Sequence, residues 1–195
     1  MILLSAHLDR VIQDYALQYR NGMHKGLLDN AIGVLLTYLT LYDDPNLIRL
    51  EKRGQLRVWH GKSEEWGELI GAPKVTRKDF VIVIDVAAGK QYRRIDFGLE
   101  NISRVAPEQL QGIKAALENE GFRVRVKRYN GDTEDADEAW QWRALKVPVL
   151  SFIVPIQAKN DGRHRIQQDN TVSAETMVTC RQGLKRLINI LREDY

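Results

Sequence analysis

Apolar and polar positions alternate along this chain in blocks of two kinds, short runs and helical repeats. The run "ILLSA" near the start predicts a buried strand. In "DFVIVIDVAAG" four β-branched apolar residues, Val81 to Ile84, stand in a row before Asp85; such a run, ended by Gly, predicts a strand covered on both sides. "VPVLSFIVPI" predicts another. "FRVRVKRY" alternates apolar and basic residues, as a half-exposed or edge strand does. "LIRLEKRGQLRVWHG" reads as two short strands, or one bent at Gly54. Between these runs, apolar residues recur three and four apart. "NAIGVLLTYLTLYDD" predicts a helix beginning near Asp29 or Asn30, and "PEQLQGIKAALENEG" one with Pro107 at its start and Gly121 past its end. "DADEAWQWRALK" predicts a short helix. "SAETMVTCRQGLKRLINILRE" predicts a long amphipathic helix with Ser173 as N-cap and Glu175 in its first turn. Strands alternating with helices predict an α/β, three-layer sandwich: a mostly parallel central sheet with helices on both faces, and function at the carboxyl ends of the strands.

Composition narrows this picture. A length of 195 residues fits a single domain spanning 1–195. The formal net charge of +3, with no basic block, gives no nucleic-acid footprint. No apolar stretch reaches the length of a membrane span, and "MILLSAHLD" lacks the basic start of a signal peptide, so the expected location is cytoplasmic. The lone cysteine, Cys180, excludes an internal disulfide and a thiolate zinc knuckle; its helical setting predicts a packed thiol.

The acids and histidines fall at telling places. His7 and Asp9 follow the first strand, Asp29 opens a helix, and Glu64 and Glu65 follow "LRVW". Asp85 ends "VIVI", and His164 lies in the loop after "VLSFIVPI". Strand carboxyl ends and helix amino ends are where an α/β fold gathers a site. Two neighbouring glutamates repel each other, and neither enters a core unpaired. His24 and His60 have no place in this pattern and read as structural or exposed.

In this order the residues resemble the co-catalytic di-zinc exopeptidases, the superfamily of leucyl and glutamyl aminopeptidases, acetylornithine deacetylase and carboxypeptidase relatives. "SAHLDRV" is similar to their His-x-Asp motif, and "GLLDNAIGV" to the segment carrying a bridging Asp. "SEEWG" is similar to their Glu-Glu-x-Gly, "VIVIDV" to the strand ending in a carboxylate ligand, and "ALKVPVLSFIVPI" with His164 to the strand before the last histidine. The resemblance implies a zinc-exopeptidase-like fold holding two Zn²⁺, with Co²⁺ or Mn²⁺ able to substitute. Asp29 would bridge, His7 and Asp85 would complete one metal site, and Glu65 and His164 the other. Three carboxylates with a bridging hydroxide balance two divalent cations. Glu64 would be the general base and Asp9 would orient His7 through its far nitrogen. Asp135 or Asp137 stands where relatives carry an Asp before a short helix, and Arg163 and Arg165 flank His164 as candidates for a substrate carboxylate.

The implied activity is hydrolysis of peptide or N-acyl amide bonds, closest to an aminopeptidase, on a peptide or N-acyl amino acid. The alternative is a relative that keeps the fold as a binding or assembly module. Glu64 favours the enzyme, because a binding module has no use for a general base. The short span from His7 to Asp29 leaves no room for the lid or dimerisation insert that relatives often carry there. A core without that lid predicts a homo-oligomer whose neighbouring subunits wall the cleft.

Overall fold

The run Val81 to Ile84 lies inside a six-stranded sheet in a computed structural model of the protein, which describes residues 1–7, 18–25, 28, 30–61, 69–87, 90–128, 138–157 and 170–193. In chain order the elements are β1 (Ile2–His7), β2 (Gln18–Arg20), β3 (Met23–Lys25), α1 (Ala31–Tyr42), α2 (Pro45–Lys52), β4 (Leu56–Gly61) and β5 (Phe80–Ala87). A 3₁₀ turn at Lys90–Tyr92 then leads to β6 (Phe97–Ser103), α3 (Pro107–Asn119), β7 (Val124–Arg128), α4 (Glu138–Ala144), β8 (Val149–Pro155), β9 (Thr171–Ser173) and α5 (Ala174–Glu193). The large sheet has the order β4-β1-β5-β8-β6-β7. β4, β1, β5 and β8 run parallel, β6 runs against β8, and β7 follows β6. A second sheet joins β2, β3 and β9.

Side chains alternate between the two faces of a strand, and the burial follows. Leu4, Phe80, Ile82, Ile84, Phe152, Val154, Phe97 and Leu99 share one large core with α1, α2, α3 and α5. Leu3, Val81, Val83 and Val149 point the other way, into a smaller cluster with Trp142 of α4. Helices therefore cover both faces, unequally, and the mostly parallel α/β sandwich expected from the sequence is the fold observed.

Local chemistry sets the ends of the helices. The Ser173 hydroxyl accepts from the amide of Thr176 at 3.0 Å, the N-cap expected for α5. Gly121, at φ +91°, follows the end of α3 in the left-handed region that glycine tolerates. Gly183 serves a different purpose. A Cβ there would come 2.2 Å from Cε1 of Phe97, so only glycine lets α5 lie against that ring. Cys180 is buried beneath the same helix and donates to the Asp96 carbonyl at 3.3 Å. Burial, helped by the Asp96 charge, pushes its pKa well above the ordinary thiol range, as a packed thiol requires.

The stretch 47–61 departs from the expectation of two short strands, or one bent at Gly54. Its first part is helical, in α2, and only Leu56–Gly61 is strand. Asp44 caps α2 by accepting from the Asn46 amide at 2.8 Å, Pro45 takes the first turn, and Leu47 and Leu50 face the core. Three apolar residues close together, Leu47, Ile48 and Leu50, imitate a strand; the cap and the three-residue spacing decide for helix.

Candidate active site

The chain reverses its winding at β1. From β1 it passes over the large-core face through α1 and α2 to reach β4 on one side. From β4 it returns across the opposite face, where Leu69, Ala72 and Val75 pack, to enter β5 on β1's other side. A crevice opens at the carboxyl ends of strands flanking such a reversal. β1 pairs with β4 as far as His7↔Gly61, but with β5 only as far as Ser5↔Val83. β5 continues to pair with β8 up to Ala87↔Pro155. Beyond Ser5 and Val83, β1 and β5 part company.

Asn30 stands at this parting. Its side-chain amide donates to the carbonyl of Ile84, just past the last β1–β5 pair, and its oxygen accepts from the Gly33 amide at 2.8 Å. One buried side chain thus caps α1 and holds its start against β5. His7 ends β1, 4% exposed, and Asp85 lies in β5 beyond the last β1–β5 pair, half-buried. Both occupy the alternate positions that face Ser5, Val83 and the small cluster. Asp85 Oδ1 accepts from the following amide, that of Val86, at 2.7 Å. The last residue of β4 is Gly61, where a Cβ would meet the Trp59 ring at 2.8 Å. His7 and Asp85 lie at the same end of neighbouring parallel strands.

Asp9, Asp29, Glu64, Glu65 and His164 lie outside the described residues, as do Asp135, Asp137, Arg163 and Arg165. The segments bounding two of them are described. β3 ends at Lys25, shortly before Asp29, and pairs with β9. Gln157 and Thr171, which bracket the segment that contains His164, exchange backbone hydrogen bonds of 2.8 and 2.9 Å. Lys25 pairs with that same Thr171. The small sheet therefore brings Lys25, Gln157 and Thr171 together. Among the described residues no group of three or more His, Cys, Asp and Glu is placed to hold a metal ion. The two described ligand candidates supply an imidazole and a carboxylate, donor types that suit Zn²⁺.

His24 and His60 take structural places. The His60 Nε2 lies 3.0 Å from the Thr37 hydroxyl, and its ring packs against Tyr38. His24 packs against Tyr19. Burial lowers the pKa of both.

A group that the sequence reading did not single out lies on the same face as Asp85. Across the sheet Asp85 pairs with Ile153, and Ile153 with Gly98. The Tyr92 ring packs beside Gly98, its Cε1 3.5 Å from where a Cβ would stand. Tyr92 donates to Glu100 at 3.1 Å. Burial first, then Glu100, pushes its phenol above the usual range, and the charge of Asp85 adds to this. Arg125 of β7, paired with Gly98, holds its guanidinium over the Tyr92 ring at 5.4 Å. The alternation in "FRVRVKRY" predicts a half-exposed or edge strand for Arg125, but no pattern along the chain says which strand lies next to it.

The chain matches no protein-family model and no curated protein. Solved structures do match its fold. Aminopeptidase I from Clostridium acetobutylicum superposes with a TM-score of 0.58 at 11% identity, over 91% of this chain and 47% of that one. The TET1 peptidase of Pyrococcus horikoshii, which can assemble into a tetrahedron or a large octahedral shell, gives 0.53 at 11% identity, over 90% and 53%. Aminopeptidase PepT from Bacillus cereus gives 0.58 at 9% identity, over 98% and 80%. The fold is thus shared with aminopeptidases. The chain spans about half the length of the first two of these neighbours.

Proposed function

We propose that this chain is the catalytic core of a di-zinc exopeptidase that hydrolyses peptide bonds at the amino end of its substrate. The observation that carries the reading is the pair His7 and Asp85, an imidazole and a carboxylate at the same edge of adjacent parallel strands, where the winding reverses in a fold shared with aminopeptidases. In this reading His7, Asp29, Glu65, Asp85 and His164 hold two zinc ions. When bound, the metals supply Lewis acidity toward the scissile carbonyl and acidify water. The chain's own residues do the rest. Glu64 takes a proton from the attacking water and returns it to the leaving amine, while Asp9 fixes the tautomer of His7. Asn30 keeps the start of α1 against β5 at the parting of the strands. The substrate is a peptide, with N-acyl amino acids the nearest competing class. A homo-oligomer walls the open cleft, as the assemblies formed by the TET1 peptidase suggest.

Elemental analysis of protein purified without chelator, paired with turnover of aminoacyl anilides and N-acyl amino acids, tests the proposal. The expected result is two zinc ions per chain and release of anilide, lost on chelation and restored by zinc. Protein that binds no divalent metal and turns over neither class overturns it.

A further inference from the structure

Gly33 breaks a local rule. It stands inside α1, where alanine would favour the helix and glycine weakens it. Space explains it. A Cβ at Gly33 would stand 2.1 Å from Oδ1, 2.6 Å from Cγ and 2.7 Å from Nδ2 of Asn30. That amide has no room to step aside. It is 1% exposed and bonded at both ends, donating to the Ile84 carbonyl and accepting from the Gly33 amide at 2.8 Å. Capping explains only half of it. A helix start needs an acceptor, which Ser, Thr or Asp would supply as well. The donor half of the amide, spent on β5, is the part that capping does not require.

What the donor replaces is a strand. β5 is paired on both sides as far as Val83, with Ser5 of β1 and Ser151 of β8. From Ile84 onward, among the described strands, only β8 stays in register with it, at Ile84↔Phe152 and Asp85↔Ile153. The Asn30 amide takes the Ile84 carbonyl at the point where β1 leaves. Asp85 is the next residue along β5, and Asp29 is the residue before Asn30 in the chain. One hydrogen bond thus joins the two backbone stretches adjacent in sequence to two of the candidate ligand carboxylates. We infer that Asn30, seated by Gly33, is a positioning residue for the metal site: its donor fixes the end of β5 that carries Asp85 against the start of α1, and tight zinc binding depends on that bond. The inference extends the di-zinc reading proposed above and rests on it.

The test is competition for zinc between the metal-free protein and a chromophoric chelator, with thermal unfolding of each metal-free variant alongside. Asn30→Ser keeps a cap and loses the donor to β5. It should weaken zinc binding by roughly 10- to 100-fold, the usual effect of removing a group that orients a metal ligand, with an unfolding midpoint close to the wild type. Gly33→Ala keeps every hydrogen-bonding group and is the better helix former, yet it should weaken zinc binding as well, because it displaces the Asn30 side chain. In an Asn30→Ala background that side chain is gone, and adding Gly33→Ala should cause no further loss of affinity. Gly183→Ala, on α5 against Phe97, shows what general destabilisation does; it should lower the midpoint and leave zinc affinity as it was. If Asn30→Ser does not fold, Gly33→Ala with and without Asn30→Ala decides. Wild-type affinity in Asn30→Ser and Gly33→Ala, or an affinity that falls in step with stability in every variant including Gly183→Ala, overturns the inference and leaves the di-zinc reading standing. A wild type that binds no zinc overturns that reading and the inference with it.

Discussion

On one face of the six-stranded sheet, α1, α2, α3 and α5 bury a continuous layer that runs from Leu4 and Ile82 to Phe97 and Leu187. On the other, the described cover is α4 with Trp142 and the stretch carrying Leu69, Ala72 and Val75, and the strands turn Ser5, His7, Asp85, Ser151, Glu100 and Arg125 toward it. The first face is almost wholly aliphatic and aromatic. The second has polar and ionisable groups, which cost free energy to bury and stay only where something pairs them. The difference is a division of work. Burying each large apolar side chain is worth roughly 1.5–3 kcal/mol, so the thick face stabilises a sheet whose thin face carries the polar and ionisable groups. Substitutions on the two faces should therefore fail in different ways.

The largest effect is expected for chemistry without loss of stability. Glu64→Gln should lower kcat by ~10²–10⁴-fold, about 3–5 kcal/mol of barrier, with metal content and unfolding midpoint unchanged. Glu65→Ala should instead lose metal. Elemental analysis of both variants checks the pair; equal metal loss would show their roles to be misassigned.

The thick face should respond in the opposite sense. Gly183→Ala drives a methyl group into Phe97, and overpacking of this kind costs about 1–3 kcal/mol or more. Denaturant unfolding should show the loss, and adding Phe97→Leu should recover part of it. A neutral Gly183→Ala would mean that α5 slides freely on the sheet.

The thin face should be softer. The Trp142 indole N–H donates to the Ser5 hydroxyl at 3.0 Å, both fully buried. Ser5→Ala strands that donor and should cost about 1–3 kcal/mol. Trp142→Phe removes the donor itself, so the double variant should be more stable than the two single losses added. Simple additivity would show that the bond contributes nothing.

The smallest effect is with pH. Burial lowers the folded-state pKa of His60 and His24, so the unfolded chain takes up their protons first. Their contribution is intact above the unfolded value of ~6.5 and is lost as pH falls from there toward the depressed folded values. Thermal unfolding between pH 7.5 and 5 should show a shallow decline, flattened by His60→Gln and His24→Gln together. A midpoint that rises as the pH falls would reverse the assignment.

What the sequence disclosed follows the same physics. β5 and β8 are buried on both faces, so their apolar runs are long enough to be legible. β6 is not: Gly98 and Glu100 interrupt "FGLENIS", because one of its faces carries the polar corner. β2, β3 and β9 are three residues each, too short for any period to register. His7 and Asp85 were readable as candidates because each stands at or near a strand's carboxyl end, a position visible along the chain. Tyr92 and Arg125 were not, since their meeting depends on β7 lying beside β6, and strand order leaves no local trace.

β6 runs against β8, so the beginning of β6 lies level with the carboxyl ends of the parallel strands. The stretch that feeds it, from the Lys90–Tyr92 turn to Gly98, is therefore delivered to the same edge as His7 and Asp85, from a separate part of the chain. For evolution or for an engineer, that reversed strand separates two dials. Changes between Tyr92 and Gly98 can reshape this edge, while the residues proposed to carry out the hydrolysis stay untouched.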